Sequence, residues 1–313
     1  MAMKREEILD RAPSGSQHEL HHGDQHVVVT EVGAGLRSYM AGSRPVIDGY
    51  AETERCTGAR GHTMIPWPNR IKAGKYSWKG AEQQLDLSEP AFGGAIHGLT
   101  RWASWELMER KVDQATFGHV LYACPGWSWV LDCRIDYQLG PNGLSVTTTA
   151  TNIGAGDCPY GTGAHPYLSV GTETIDAAQA HVPGSVYLPV DDVGIPTGHE
   201  SVAGTHYDLR TRQVLGARKI DVTYTELERG ADGRARVSLS RHGGPAVALW
   251  ADAAYPYLEI FTGDTLPQPG RRRTGLGVEP MTCAPDAFNS GDGLITLEPG
   301  QSHRASWGIE PSA

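Results

Sequence analysis

The sequence predicts an all-β fold, and three observations carry that prediction. The 39 glycines and 20 prolines are spread along 313 residues rather than pooled in a linker, the distribution that frequent turns between short strands produce. Runs of valine, isoleucine, threonine and aromatic residues alternate with those turn signals. Helical periodicity is nearly absent, and the one segment that fits it, residues 4–11, is short. With no domain linker and no repeat of fixed period, residues 1–313 read as one domain with a polar lead-in over 1–25. A hydrophobic share of 39% and a charged share of 20% describe a soluble chain able to build a core.

Four histidines, His18, His21, His22 and His26, crowd the end of that lead-in. The segment is polar and lacks the spacing of a metal motif, so it reads as a solvated loop. Residues 27–32 follow as a strand, which Gly33-Ala34-Gly35 turns into 36–40 as an opening hairpin. In Ile65-Pro66-Trp67-Pro68-Asn69-Arg70-Ile71 two prolines fix the backbone around Trp67 and present an aromatic face. Asn69 and Arg70 set an amide beside a forked guanidinium, a combination that suits a polyol. The plainer alternative is a core Trp67 and a structural ion pair at Arg70. Tyr76 and Trp78 alternate as packing residues of a strand, and His97 sits among glycines in a loop. From 105 to 152 the chain meanders through strands at 106–112, 115–122 and 130–139. The turn Gly140-Pro141-Asn142-Gly143 then returns it as 144–152.

That hairpin leads to Tyr160-Gly161-Thr162-Gly163-Ala164-His165-Pro166-Tyr167. Proline forces extended backbone on the residue before it and interrupts ladder pairing, so His165 should stand at a strand edge. Gly161 and Gly163 let backbone or ligand approach. Residues 186–190 and the loop through His199 read as irregular. Asp221, ahead of Val222-Thr223-Tyr224, either accepts from hydroxyl groups or opens a turn. Short strands follow at 235–240 and 247–250, and a buried one at 257–262. Arg271-Arg272-Arg273 reads as a solvated loop or a phosphate contact. Gly277-Val278-Glu279-Pro280 again locks an ionisable residue before proline, at the end of a strand over 276–279. An imidazole and a carboxylate held in this way can act as acid and base, although each alone fits a strand end satisfied by backbone hydrogen bonds. Pro285-Asp286-Ala287-Phe288-Asn289 turns away, and the last strands lie at 294–297 and 303–309.

A net charge of -9 argues against nucleic acid and anionic membrane as partners, since both reward clustered Lys and Arg. The start turns acidic at Glu6 and Glu7 where a signal peptide would turn apolar, and no run is long enough to span a bilayer. Cys56, Cys124, Cys133, Cys158 and Cys283 are scattered and form no C-x-x-C pair. Reduced thiols in a cytoplasm, with no zinc site, are the expectation.

Taken in order, Pro68-Asn69-Arg70-Ile71, Ile96-His97-Gly98, Gly163-Ala164-His165-Pro166-Tyr167 and Gly277-Val278-Glu279-Pro280-Met281-Thr282 with the 285–289 turn resemble the aldose 1-epimerase (galactose mutarotase) family over nearly the whole chain. The resemblance implies a large antiparallel β-sandwich, the supersandwich, with an open cleft on a concave face. It implies His165 as general acid, Glu279 as general base, and Asn69, Arg70, His97 and Asp221 as sugar-binding residues, Asp221 in a context that departs from the commoner pattern. It implies a small aldose substrate and no metal or organic cofactor. Oligomeric state stays open. The acid role requires a protonated His165 near neutral pH and the base role an ionised Glu279; the two should face each other across a gap one pyranose wide. Competing functions are a hexose-6-phosphate 1-epimerase, a non-catalytic sugar binder, and a hydrolase or lyase, the hydrolase disfavoured because no carboxylate pair stands in motif-like context.

Overall fold

A computed structural model describes residues 11–312. Two large antiparallel sheets dominate. One has nine strands, in spatial order Glu106–Arg110, Gln114–Leu121, Leu131–Gly140, Gly143–Asn152, Ser302–Ser312, Ala246–Ala251, Ala235–Ser240, Gln179–His181 and Gln213–Val214. Its centre shows why these residues form strands. Along Leu131–Gly140, Leu131, Cys133, Ile135, Tyr137 and Leu139 are buried while Asp132, Arg134 and Gln138 are exposed, the period-two pattern of a sheet with one dry face. Register runs unbroken from Leu131↔Asn152 to Gly140↔Gly143.

The second large sheet carries the site, and its strands are numbered here along the chain: β1 (Thr63–Met64), β2 (Gly163–Ala164), β3 (Tyr167–Leu168), β4 (Gly184–Leu188), β5 (Glu200–Ser201), β6 (Asp221–Leu227), β7 (Tyr257–Phe261) and β8 (Leu276–Met281). They lie in the order β5-β4-β6-β7-β8-β2-β1, with β3 also on β8. Val222, Tyr224, Leu258, Ile260, Leu276 and Val278 face the nine-stranded sheet and join its apolar residues in one continuous core. Each such aliphatic side chain contributes roughly 1.5–3 kcal/mol by leaving water. The alternate residues of the same strands face away from that core and are free for other chemistry.

Several expectations need correction. The histidine-rich segment is no loop: Gln17–His22 and Gln25–Thr30 form a hairpin, with His21 paired to His26. Leu20, Val27 and Val29 point inward from it, and polar residues between them hid the alternation. The polar lead-in therefore ends earlier than residue 25. Residues expected to be irregular at 186–190 overlap strand β4, which pairs with β6. Trp67 presents no face to solvent. It is buried against Phe288, ring centroids 5.8 Å apart. The helix expected over 4–11 lies outside the described residues save for Arg11.

Candidate active site

The cleft floor is built by register. β6, β7 and β8 set Thr223 opposite Glu259 and Glu259 opposite Glu279. On the far side of β8, Gly163 pairs with Met281 and Tyr167 with Gly277, so His165, midway between, stands opposite Glu279. Pro166 breaks the ladder there, as expected of a residue with no N–H. The result is one row, Thr223, Glu259, Glu279 and His165, on the face turned from the core. A second row, Asp221, Phe261, Gly277 and Tyr167, runs beside it.

Arg70 and His97 come from a separate two-stranded unit, Arg70–Lys72 paired with Gly94–Ile96. Asn69 and His97 extend it by one residue on each strand, both in the left-handed region, at φ 52° and 62°. Such strain in non-glycine residues gathers at functional sites. The two hold each other: the His97 N–H donates to the Asn69 carbonyl at 2.9 Å, and the Asn69 N–H donates to His97 Nδ1 at 3.2 Å. Nδ1 is thereby an acceptor, which leaves the ring proton on Nε2. Burial pushes the His97 pKa well below the usual imidazole value, so this neutral tautomer persists.

Together these elements enclose a cleft of about 430 Å³ lined by Asn69, Arg70, His97, His165, Asp221 and Glu279, the six residues singled out from sequence, and also by Glu89, Arg101 and Glu259. The size is that of a small-molecule site. Tyr167 and Phe261 add apolar walls.

His165 Nε2 lies 3.0 Å from Glu279 Oε1. The two groups abut, and no pyranose-wide gap separates them. His165 Nδ1 and Glu279 Oε2 are buried without a hydrogen-bond partner in the protein. The protonation expected from sequence is also reversed. Burial, the largest cause, pushes the His165 pKa down to about 3 and that of Glu279 well above the carboxylate range. A dry site disfavours two separate charges, so both partners are held in their neutral forms. The imidazole is fixed from behind by the Tyr167 ring, stacked at 5.0 Å. Arg60 lies under that ring at 4.6 Å.

Glu89, Arg101 and Glu259 line the cleft without having been singled out from sequence. Glu89 binds Arg70 bidentately, Nε to Oε2 at 2.6 Å and Nη2 to Oε1 at 2.9 Å, so Arg70 makes the ion pair and lines the cleft at once. Its signal was in view, because Glu89-Pro90 repeats the ionisable-before-proline pattern used to find His165 and Glu279. Glu259 reads as part of a buried strand, yet a lone acid inside Tyr257-Leu258-Glu259-Ile260-Phe261 is itself a signal. It also forms a carboxylate pair that no motif-like context marks: Glu259 and Glu279 are direct cross-strand neighbours. They sit side by side on one floor, unlike the flanking carboxylates of a glycosidase. Asp221 opens β6 and reaches the cleft.

Two groups among the described residues bring possible metal ligands within 4.8 Å of one another: the outer hairpin's Glu19, His21 and His26, and the cleft's His97, His165 and Glu279. In the cleft the donor set is one that divalent transition metals accept, and His165 Nε2 and Glu279 Oε1 stand 3.0 Å apart within it.

A family model described as aldose 1-epimerase matches residues 16–310. The Escherichia coli K12 protein YihR is 32% identical over 304 residues, covering 97% of this chain and 96% of its own. The fold superposes on a GalM/aldose epimerase homologue from C. elegans with a TM-score of 0.85 at 17% identity, covering 95% of this chain and 98% of the other. A galactose 1-epimerase from Lactobacillus acidophilus superposes with a TM-score of 0.79 at 20% identity, covering 95% and 94%.

Proposed function

The chain belongs to the aldose 1-epimerase family, and we propose that it interconverts the α and β anomers of a free hexose, with His165 and Glu279 as the proton-transfer pair. The contact at 3.0 Å between His165 Nε2 and Glu279 Oε1 on the cleft floor carries this reading. Anomer exchange opens a hemiacetal: a proton leaves the O1 hydroxyl while one reaches the ring oxygen. C1 then turns about the C1–C2 bond and the ring closes on its other face. Both oxygens are attached to C1, so the groups that serve them must themselves be neighbours. A docked sugar parts the His165–Glu279 contact and gives one group to each oxygen. The pair accepts a proton from O1 and delivers one to the ring oxygen with no net change in its own proton count, and the return step reverses the roles. Positioned acid and base groups each contribute about 10²–10⁴-fold.

The remaining cleft groups suit hydroxyl recognition. His97 offers a fixed Nε2–H, Asp221 accepts, and Arg70 is held flat by Glu89. The proposed proton transfer routes no step through a cation, so chelators should leave the rate unchanged; loss of activity on dialysis against EDTA, restored by a divalent ion, would contradict this.

The 6-phosphate reading has one supporting observation. Arg101 lines the cleft and, among the described residues, makes no ion pair. The Arg271 to Arg273 run does not serve it, being committed elsewhere: Arg271 to Asp48 at 3.3 Å, Arg272 to the Leu266 carbonyl at 2.8 Å and Arg273 to Asp264 at 3.1 Å. Polarimetry on freshly dissolved single-anomer glucose and galactose, beside their 6-phosphates, separates the readings. Faster decay of rotation with the free sugars supports a free-hexose mutarotase. Acceleration confined to the phosphates transfers the assignment to them, and saturable binding without acceleration leaves a sugar-binding protein.

A further inference from the structure

Glu259 lies at the centre of the cleft floor, buried to 4% exposure, with no part in the proton transfer above. On β6, Asp221 lies diagonally across the paired strands from it, lining the same cleft, and the Thr223 hydroxyl donates to its Oε2. On β8, Glu279 is its register partner, with His165 beyond. From the other wall come Arg70, Arg101, Glu89 and the neutral His97. Arg70, the cation whose charge reaches Asp221, Glu259 and Glu279, is already matched by both oxygens of Glu89.

Three carboxylates on adjacent strands, about 5 Å apart, therefore share a guanidinium that a fourth has neutralised. An ionised carboxylate only accepts hydrogen bonds. Asp221 and Glu259, neighbours on paired strands, can bond to each other only if one of them holds a proton, and the more deeply buried of the two is Glu259. Since Thr223 occupies Oε2, the proton belongs on Oε1. We propose that Glu259 is carried as the neutral acid, donating to Asp221, and is the positioning residue that fixes Asp221 as an acceptor for a sugar hydroxyl. The consequence for turnover rests on the anomer-exchange reading; the proton itself does not.

Glu259→Gln separates proton from shape. The amide keeps an oxygen for Thr223 and an N–H for Asp221 but cannot ionise. Wild type and Glu259→Gln are melted at steps from about pH 5 to about pH 8.5. Folded wild type holds a proton that the unfolded chain releases above the ordinary glutamate pKa, so it loses stability as pH rises toward the folded value. The expected result is a Tm advantage of Glu259→Gln that grows with pH, and parallel melting curves overturn the proposal. In the exchange assay Glu259→Gln should match wild type at neutral pH and lack its alkaline rise in KM. Glu259→Leu should raise KM by about tenfold or more with kcat less affected. An equal loss in the Gln and Leu variants also overturns the proposal. Were wild type inactive on every sugar, the functional reading would fall while the melting series still decided where the proton sits.

Discussion

His165 shows how far burial moves a familiar side chain. A solvated imidazole titrates near 6.5, whereas here the dry cleft floor holds it at about 3. Activity should then show no acid limb around the ordinary imidazole value: kcat/KM measured downward from neutrality stays level until the protein itself loses structure. An inflection near pH 6.5 would mean that His165 is solvated in the working enzyme. What was legible at this scale was identity, and what was not was protonation. His165 and Glu279 announced themselves by the proline that follows each, a local constraint. Their charge states depend on the low dielectric that the surrounding strands impose, which no local pattern encodes. The same proline rule marks Glu89; it also marks Glu310, which pairs with Arg236 at 3.2 Å, away from the cleft residues, and shows the rule's limited specificity.

Elements deliver these residues through register and through one clamp. The turn after Pro285 puts Asp286 where its N–H donates to the Arg70 carbonyl at 2.7 Å and its Oδ1 accepts from the Lys72 N–H at 2.9 Å. A stretch more than 200 residues downstream thus pins the strand that presents Arg70. Asp286→Ala leaves the Lys72 N–H unsatisfied and should cost about 1–3 kcal/mol, read as a lower denaturation midpoint, with KM raised more than kcat is lowered. An unchanged midpoint would show that water replaces the clamp. Strands with strict alternation, Leu131–Gly140 and Gly143–Asn152, were readable to within a residue or two. The hairpin holding His18, His21, His22 and His26 was not, because its outward positions are polar and its inward ones few. Trp67 went the other way, since flanking prolines fix a backbone without saying which side faces water.

Across the whole molecule, opposite shifts set a window of stability. His62, His97 and His165 are buried neutral, two of them held at about 3. The unfolded chain binds protons at these positions below its own value near 6.5, so stability is full above that pH and falls below it. The slope is up to about 1.4 kcal/mol per pH unit for each histidine. Glu259 and Glu279 are raised and act in reverse, losing stability as pH climbs. Melting temperature against pH should therefore form a dome whose acid side begins near pH 6.5; a plateau extending down to about pH 4 would show that the histidines are not buried neutral. All five cysteines are free, and no helix among the described residues is long and apolar enough to cross a membrane. The all-β class was evident from how turns are distributed, whereas the stacking of two sheets followed from the family resemblance rather than from any one stretch. The most direct measurement is proton NMR exchange between the two anomers of dissolved glucose or galactose at equilibrium, with wild type, His165→Asn and Glu279→Gln compared at matched folded concentration. The predicted result is rapid exchange with wild type and a loss of about 10²-fold or more in each variant; exchange as fast in either folded variant as in wild type would contradict the proton-transfer pair.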